Sequence, residues 1–456
     1  VRKEMLAMLA AATLVTGVAG CKGGEKEKRL DPLDKEEKVS MKVMFWDNSL
    51  FYRQYGNFFA TEFPNVDIEV LDMQQLYSDP NVTADEGLDK FIEANKPDVL
   101  LLSEAQYAKY AKDGKLLELD PIIEKDDFSM DGIHPAMPSL LRELGDGKLY
   151  GLSPEIESAG LFYNSELFEK YGIETPRDSM SWDEVFELAK RFPVDGESDK
   201  RVYGLSLGSE MTVGNFIRTV GQAQGLQSVN ADGSRVSFDT ASWKKVAESV
   251  IDLIRSGAYH VPVEDEAGNF LMEDIYRRDV FLLGGAAMRF GKNRTVMKLR
   301  QAVEDLKWEP IEWGVVTAPV DPNNRNQNRY FELGVQIYAI STESSNVRAA
   351  WEFIKYINGE KYAQLNHRSV FGGLKTWTDY EEEQDGRSME PFLKLDPAMN
   401  AGSEQLKAPP RFLDRFSEII TSEVDTVLSG EQTLDEAMRK IQEIGQEELK
   451  ENNASD

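Results

Sequence analysis

Gly147-Lys-Leu-Tyr-Gly-Leu-Ser-Pro-Glu-Ile-Glu-Ser-Ala-Gly-Leu-Phe-Tyr-Asn164 is the stretch whose reading decides the fold. A glycine opens a turn, an extended segment follows, and Pro154 fixes the local backbone. Glu155 and Glu157 then stand one residue apart, and an apolar strand ends in Tyr163-Asn164. We expect this stretch to be a crossover between two lobes and the floor of a ligand cleft.

On its N-terminal side the chain alternates strand and helix patterns. Val39–Trp46 alternates polar and apolar residues and runs into Asp47-Asn48-Ser49, a strand followed by a helix cap. Phe51, Tyr55, Phe58, Phe59 and Phe63 then share one helical face, and Val66, Ile68 and Val70 predict a second strand. A helix over 85–95 leads to Pro97-Asp-Val-Leu-Leu-Leu102, an apolar run of the kind buried on both faces of a parallel sheet. This order predicts an α/β lobe. Ser103 and Glu104 sit at the carboxyl end of its third strand, where open α/β sheets bind ligands. A short helix over 107–114 and a covering segment over 116–123 complete the approach to Gly147.

On the C-terminal side, helices are expected over 165–171 and 181–192, the second opened by the capping box Ser181-Trp-Asp-Glu184. A strand over 203–207, a helix over 243–255 and a buried strand Phe281-Leu-Leu-Gly-Gly-Ala-Ala-Met288 follow. Beyond a strand over 313–318 come a polar loop, Pro319–Asn328, a strand over 333–341, a helix over 345–357 and a turn at Phe371-Gly-Gly-Leu374. The last third is helical, with a second capping box at Thr433-Leu-Asp-Glu436.

Length and composition agree with this division. A chain of 456 residues, 41% hydrophobic, exceeds what one core usually fills, so two lobes are the expectation. A formal charge of −28 argues against nucleic acid and against binding to anionic lipid surfaces, and favours a soluble monomer. The single cysteine, Cys21, follows a basic start, an apolar run and Ala19-Gly20, the layout of a secretory signal over 1–20 ending in a lipobox-like site. We expect Cys21 to be acylated. Two chains anchor firmly, because each buried methylene contributes about 0.8 kcal/mol. Removing 1–20 takes away Arg2, Lys3 and Glu4, a net +1, which leaves the mature chain near −29 and without a thiol. Residues 22–38 alternate charge and read as a tether reaching at most ~55 Å at about 3.3 Å per residue.

Several motifs in register cover nearly all of the mature chain. They are the lipobox, Pro97-Asp-Val, Asp113-Gly-Lys-Leu116, Gly147–Pro154 leading to Leu161-Phe-Tyr-Asn164, Tyr171-Gly-Ile-Glu-Thr-Pro176, Gly285-Ala-Ala-Met288, the block 334–357 and Leu434-Asp-Glu-Ala437. Together they resemble the extracellular solute-binding proteins of ABC importers, of the carbohydrate-type family that includes maltose-binding protein. The resemblance implies a type II periplasmic-binding-protein-like α/β fold, two lobes closing by a hinge on a solute in a central cleft. It places crossovers at Pro154–Ser158, near Ala318-Pro319 and after Phe371, so that lobe one is 39–153 plus 319–375 and lobe two is 154–318 plus 376–456. It further implies a small-molecule solute, an oligosaccharide, delivered to permease subunits from the outer face of a Gram-positive cytoplasmic membrane, with no cofactor and no catalysis.

Sugar recognition needs flat aromatic faces and planar polar groups. Candidate ligand-binding residues are Trp46 and Asp47, Ser103 and Glu104, Glu155 and Glu157, Arg289 and Phe290, Trp377 and Phe412. Glu157 is favoured because the family's ligand-binding glutamate stands at the same distance before its Tyr-Asn pair. Asn293 lies where many relatives carry a stacking Trp, which leaves Phe290 as the substitute. A non-sugar solute such as a peptide or polyamine would suit the pair Glu155 and Glu157. The enzyme alternative rests on those carboxylates or on Gly204-Leu-Ser-Leu-Gly208, a G-x-S-x-G pattern that requires a helix directly after the serine. Only His134, His260 and His367 occur, without zinc-ligand spacing.

Overall fold

The computed structural model describes residues 31–34, 36–77, 84–195, 201–209, 211–230, 232–262, 276–333, 336–366, 373–377, 383–384, 386–398, 408 and 410–455. The expected signal segment, Cys21, most of the tether, His367 and the Phe371-Gly372 part of the last turn lie outside these residues.

Two sheets carry the two lobes. In the first, β1 (Val39–Phe45) runs parallel to β2 (Val66–Asp72) in full register from Val39↔Val66 to Phe45↔Asp72, and parallel to β3 (Val99–Leu102). A return strand from much later in the chain lies antiparallel between β3 and the short β4 (Gly151–Leu152). All four residues of β3 are buried, as the unbroken apolar run predicts. Between β1 and β2 the chain is helical over Asn48–Phe51 and Asn57–Glu62, joined by one π turn, Tyr52–Gly56. Phe51, Tyr55 and Phe59 are fully buried there. Asp98 explains why an acid follows Pro97: its carboxylate accepts from Lys42 N at 2.9 Å and from Ser344 Oγ at 2.6 Å, tying β1 to the turn after the return strand.

After β4 the chain crosses. The short β5 (Glu155–Ile156) leads into β6 (Ala159–Asn164), an inner strand of the other sheet. That sheet has the order β7-β8-β6-β9, with β7 (Tyr203–Ser206) parallel to β8 (Ala286–Lys292) and both β8 and β9 (Trp313–Thr317) antiparallel to β6. Along β6 the side chains alternate: Leu161 joins the core beneath the helices of lobe two, and Phe162 faces the cluster continuous with lobe one. The helices Trp182–Ala189, Val213–Ala223, Ala241–Ser256, Pro410–Leu428 and Leu434–Ser455 cover this lobe. Both predicted capping boxes form, at Ser181 with Glu184 and at Thr433 with Glu436.

Two expectations shift. The strand predicted over 281–288 begins only at Ala286, because Phe281–Gly284 forms a turn closed at Gly284 by a φ of 76°. The polar loop expected to begin the return to lobe one at 319 instead lies along lobe two. Val320 N donates to Met180 O, Arg325 Nη1 to Ser179 O and Glu184, and β10 (Gln327–Asn328) pairs with Asp396–Pro397. The return crossing falls at Glu332, just before β11 (Ile337–Ile340), the inserted strand of the first sheet. The third crossing contributes β12 (Leu374–Lys375), antiparallel to β5, and Trp377 still pairs with Ile133 of the first lobe. Three crossing segments therefore lie side by side, β12 against β5 and Glu332 against Glu157.

Candidate functional site

At the carboxyl ends of the parallel strands β7 and β8 a cavity of about 370 Å³ opens beside the crossing segments. Arg289, Phe290, Gly291 and Lys292 come from the end of β8, and Arg294, Thr295 and Lys298 from the helix that follows it. Leu207 and Met211 follow β7, Thr219 and Gln222 lie on the helix Val213–Ala223, and Tyr330 and Glu332 belong to the return segment.

Charged groups organise the rim. The Glu157 backbone exchanges two hydrogen bonds with Glu332, each 2.8 Å long. Its carboxylate accepts from Lys292 Nζ at 2.9 Å and from Arg294 Nε, while Glu332 accepts from Lys292 Nζ at 2.6 Å. Burial alone would raise the Glu157 carboxyl, but the Lys292 ammonium and Arg294 guanidinium hold it below the usual carboxylate range. For Lys292 burial works against the charge, and Glu332 and Glu157 overcome it and raise the pKa. From the first lobe, Glu104 Oε1 accepts from Leu333 N at 2.7 Å. Burial pushes its carboxyl up to about 7, with the neighbouring Glu332 carboxylate adding to the rise and the Leu333 N–H opposing it.

The wall is partly aromatic. Phe290 packs edge-on against Tyr330, ring centres 4.9 Å apart, and Tyr330 Oη accepts from Trp182 Nε1 and donates to Thr219 O. Asn293 lies below this wall as a clamp: its Oδ1 accepts from Ser158 N and its own N donates to Ser158 O, both at 2.9 Å.

Residues 48–364 match the model of the bacterial extracellular solute-binding protein family. This chain belongs to that family. A galactooligosaccharide-binding protein of Bacillus subtilis is 23% identical over 371 residues, covering 78% of this chain and 77% of the relative. An arabinooligosaccharide-binding protein of the same organism is 23% identical over 60% of this chain and 59% of its own length. Among solved structures, a sugar transporter from Rhizobium etli in an open conformation superposes with a TM-score of 0.66 at 18% identity, covering 90% of this chain and 99% of the other. The sugar-binding protein MalE from Xanthomonas citri gives 0.66 at 17%, covering 91% and 98%. The two-lobed α/β fold is thus that of the family.

Within this solute-binding protein the expected site residues separate. Arg289 and Phe290 line the cavity, and Glu157 stands behind it, holding two of its cations. Glu104 reaches the same cluster from the first lobe. The other placements correct the expectation. Glu155 is 2% exposed, its carboxylate taken by Lys375 Nζ, Gly373 N and Gln54 Nε2, so it fastens crossing strands together. Asp47 Oδ1 caps the helix Asn48–Phe51 through Leu50 N, and Ser103 forms a capping box with Gln106. Trp46 packs part-buried on the core of the first lobe, as does Trp377, whose Nε1 donates to Asn358 O. Phe412 is fully buried between lobe-two helices and stacks on Phe416, 5.3 Å centre to centre. Ser206 is likewise buried, and the next helix starts only at Val213, so the G-x-S-x-G match lacks the tight strand-to-helix turn.

Sequence reasoning missed Lys292, Arg294, Lys298, Tyr330 and Glu332. A signal was present: Arg289-Phe-Gly-Lys-Asn-Arg-Thr-Val-Met-Lys298 is dense in base within a strongly acidic chain.

Proposed function

We propose that this protein is the solute receptor of an ABC importer, binding a carbohydrate, an oligosaccharide, between its lobes and passing it to membrane permease subunits without chemistry of its own. The observation that carries this reading is the cavity where the crossing segments meet the carboxyl ends of β7 and β8. Its aromatic face, Phe290 and Tyr330, suits sugar C–H surfaces, and Thr219 and Gln222 suit hydroxyls. The oligosaccharide-binding relatives support the same solute class. Acylation of Cys21 would hold a monomer at the outer face of a Gram-positive membrane. We take the lobes as 39–153 with 319–375 and 154–318 with 376–456, amended so that 319–330 belongs with lobe two and 376–377 with lobe one. The peptide or polyamine alternative loses its main support, because Glu155 is paired with Lys375 and Glu157 with Lys292 and Arg294.

Solute that binds only the folded state raises its melting temperature. A thermal-shift screen across oligosaccharides, peptides and polyamines should show rises confined to oligosaccharides. Rises confined to peptides or polyamines would overturn the reading, and release of shorter sugars during incubation would overturn the non-enzymatic part.

A further inference from the structure

The chain carries 80 acidic against 52 basic residues, yet its cavity reverses that balance. Four cations line it, Arg289, Lys292, Arg294 and Lys298, against one carboxylate, Glu332. Glu157 and Asp279 stand behind the wall and offset part of the charge. Lys298 has no ion pair among the described residues.

Arg289 is the built element. It is 6% exposed, its Nε donates to Asp279 Oδ2 at 2.9 Å, and its Nη1 donates to Thr295 Oγ1 at 2.8 Å. Its Nη2 makes no hydrogen bond among the described residues. Two glycines leave room for the guanidinium: a Cβ on Gly291 would sit 2.1 Å from Nη1, and one on Gly208 would sit 2.8 Å from Nη2. A guanidinium held this way in a cavity wall costs desolvation unless a further acceptor arrives. Its planar fork fits a carboxylate or another oxyanion better than a lone hydroxyl. A cationic solute would meet four like charges that Glu157, Glu332 and Asp279 offset only in part, leaving a balance of +1.

We propose that the solute is an anionic carbohydrate, a sugar bearing a carboxylate or equivalent oxyanion, with its charged group on Arg289 and Lys298 and its ring against Phe290 and Tyr330. This rests on the carbohydrate reading above, and the test separates the two.

Calorimetric titration of the protein compares oligogalacturonate, a sulfated oligosaccharide, neutral galacto- and arabino-oligosaccharides, and the non-sugar anions citrate and phosphate. An acidic oligosaccharide should bind at least tenfold tighter than its neutral counterpart. That gap should shrink as salt rises from about 0.05 to 0.5 M, because screening shortens to a few Å. The uronate and sulfate arms identify which oxyanion is preferred. Lys298→Gln should narrow the charged-to-neutral gap about threefold, and this half-buried position carries less folding risk than the buried Arg289→Gln. Neutral sugars binding as tightly as acidic ones would overturn the charge inference and leave the carbohydrate reading standing. Binding of citrate or phosphate with no response to any saccharide would overturn the carbohydrate reading itself.

Discussion

The two lobes finish the carboxyl ends of their parallel strands differently. In the first lobe, β1 and β3 pass directly into helices, and the junction side chains, Asp47 and Ser103, cap those helices. In the second, β7 is separated from its helix by a segment running to Thr212, which does the capping, while β8 runs on to Lys292 and its following helix begins without a side-chain cap. Side chains at these second-lobe ends therefore stay available to the cavity. The carboxyl end of a strand is a good place for a site only where helix capping does not occupy the polar groups first.

If the polar groups of the first lobe and its crossings are structural, removing one should cost stability and spare affinity. Glu155→Ala should show the largest effect, because it removes the buried carboxylate that Lys375, 3% exposed, Gly373 N and Gln54 share. Breaking a buried pair costs about 3–5 kcal/mol, readable as a lower urea midpoint, with solute affinity retained by the folded fraction. An unchanged midpoint with lost affinity would reverse the comparison. On the second-lobe side, Gly291→Ala should act mainly on binding. Its Cβ would fall 2.1 Å from Arg289 Nη1, forcing the guanidinium aside. We expect a solute affinity loss of tenfold or more, with a stability cost of about 1–3 kcal/mol from overpacking.

The lobes were legible in the sequence because burial writes itself as period: Val99–Leu102 is buried throughout, and of the expected stripe Phe51, Tyr55 and Phe59 are fully buried while Phe58 and Phe63 are part-buried. The first crossing was legible through Pro154 and its flanking strands. The return crossing was not, because 319–330 is polar whether it spans a hinge or wraps a lobe. Its attachment depends on Arg325 meeting Glu184, a contact between residues 141 apart in sequence. The site was half legible for a related reason. Local spacing marks a strand end, but which carboxylate is free depends on distant partners such as Lys375 for Glu155 and Lys292 for Glu157.

Glu104 tests the boundary between the walls, since it belongs to the first lobe and reaches the charged rim. Its carboxyl is raised to about 7 in the folded protein, against about 4.3 in an unfolded chain. The folded state thus holds the proton more tightly. The resulting contribution is full below about pH 4.3 and is lost as pH rises through 7. Glu104→Gln keeps an acceptor for Leu333 N and removes the titration. Melting temperatures should match wild type near pH 4.5 and exceed it at pH 8 by about 3 °C or more. Equal melting temperatures at both pH values would mean that Glu104 is solvated and plays no part in the rim.

Glu157→Ala is expected to have the smallest effect on stability and a modest one on binding. Its partners Lys292 and Arg294 are 45% and 37% exposed, so the pairs contribute about 1 kcal/mol or less, and the apo melting temperature should hardly move. Binding should still weaken severalfold, because Arg294 loses the carboxylate that positions it while Lys292 keeps Glu332. The positive potential gained by deleting an acid acts in the opposite direction for an anionic solute. At about 0.15 M salt that gain is screened over roughly 8 Å, whereas a displaced guanidinium forfeits its contact outright, so the positioning loss should win. Calorimetry on the variant decides this: tighter binding would mean that Glu157 is a brake on the cavity's charge, and unchanged binding would remove it from the site.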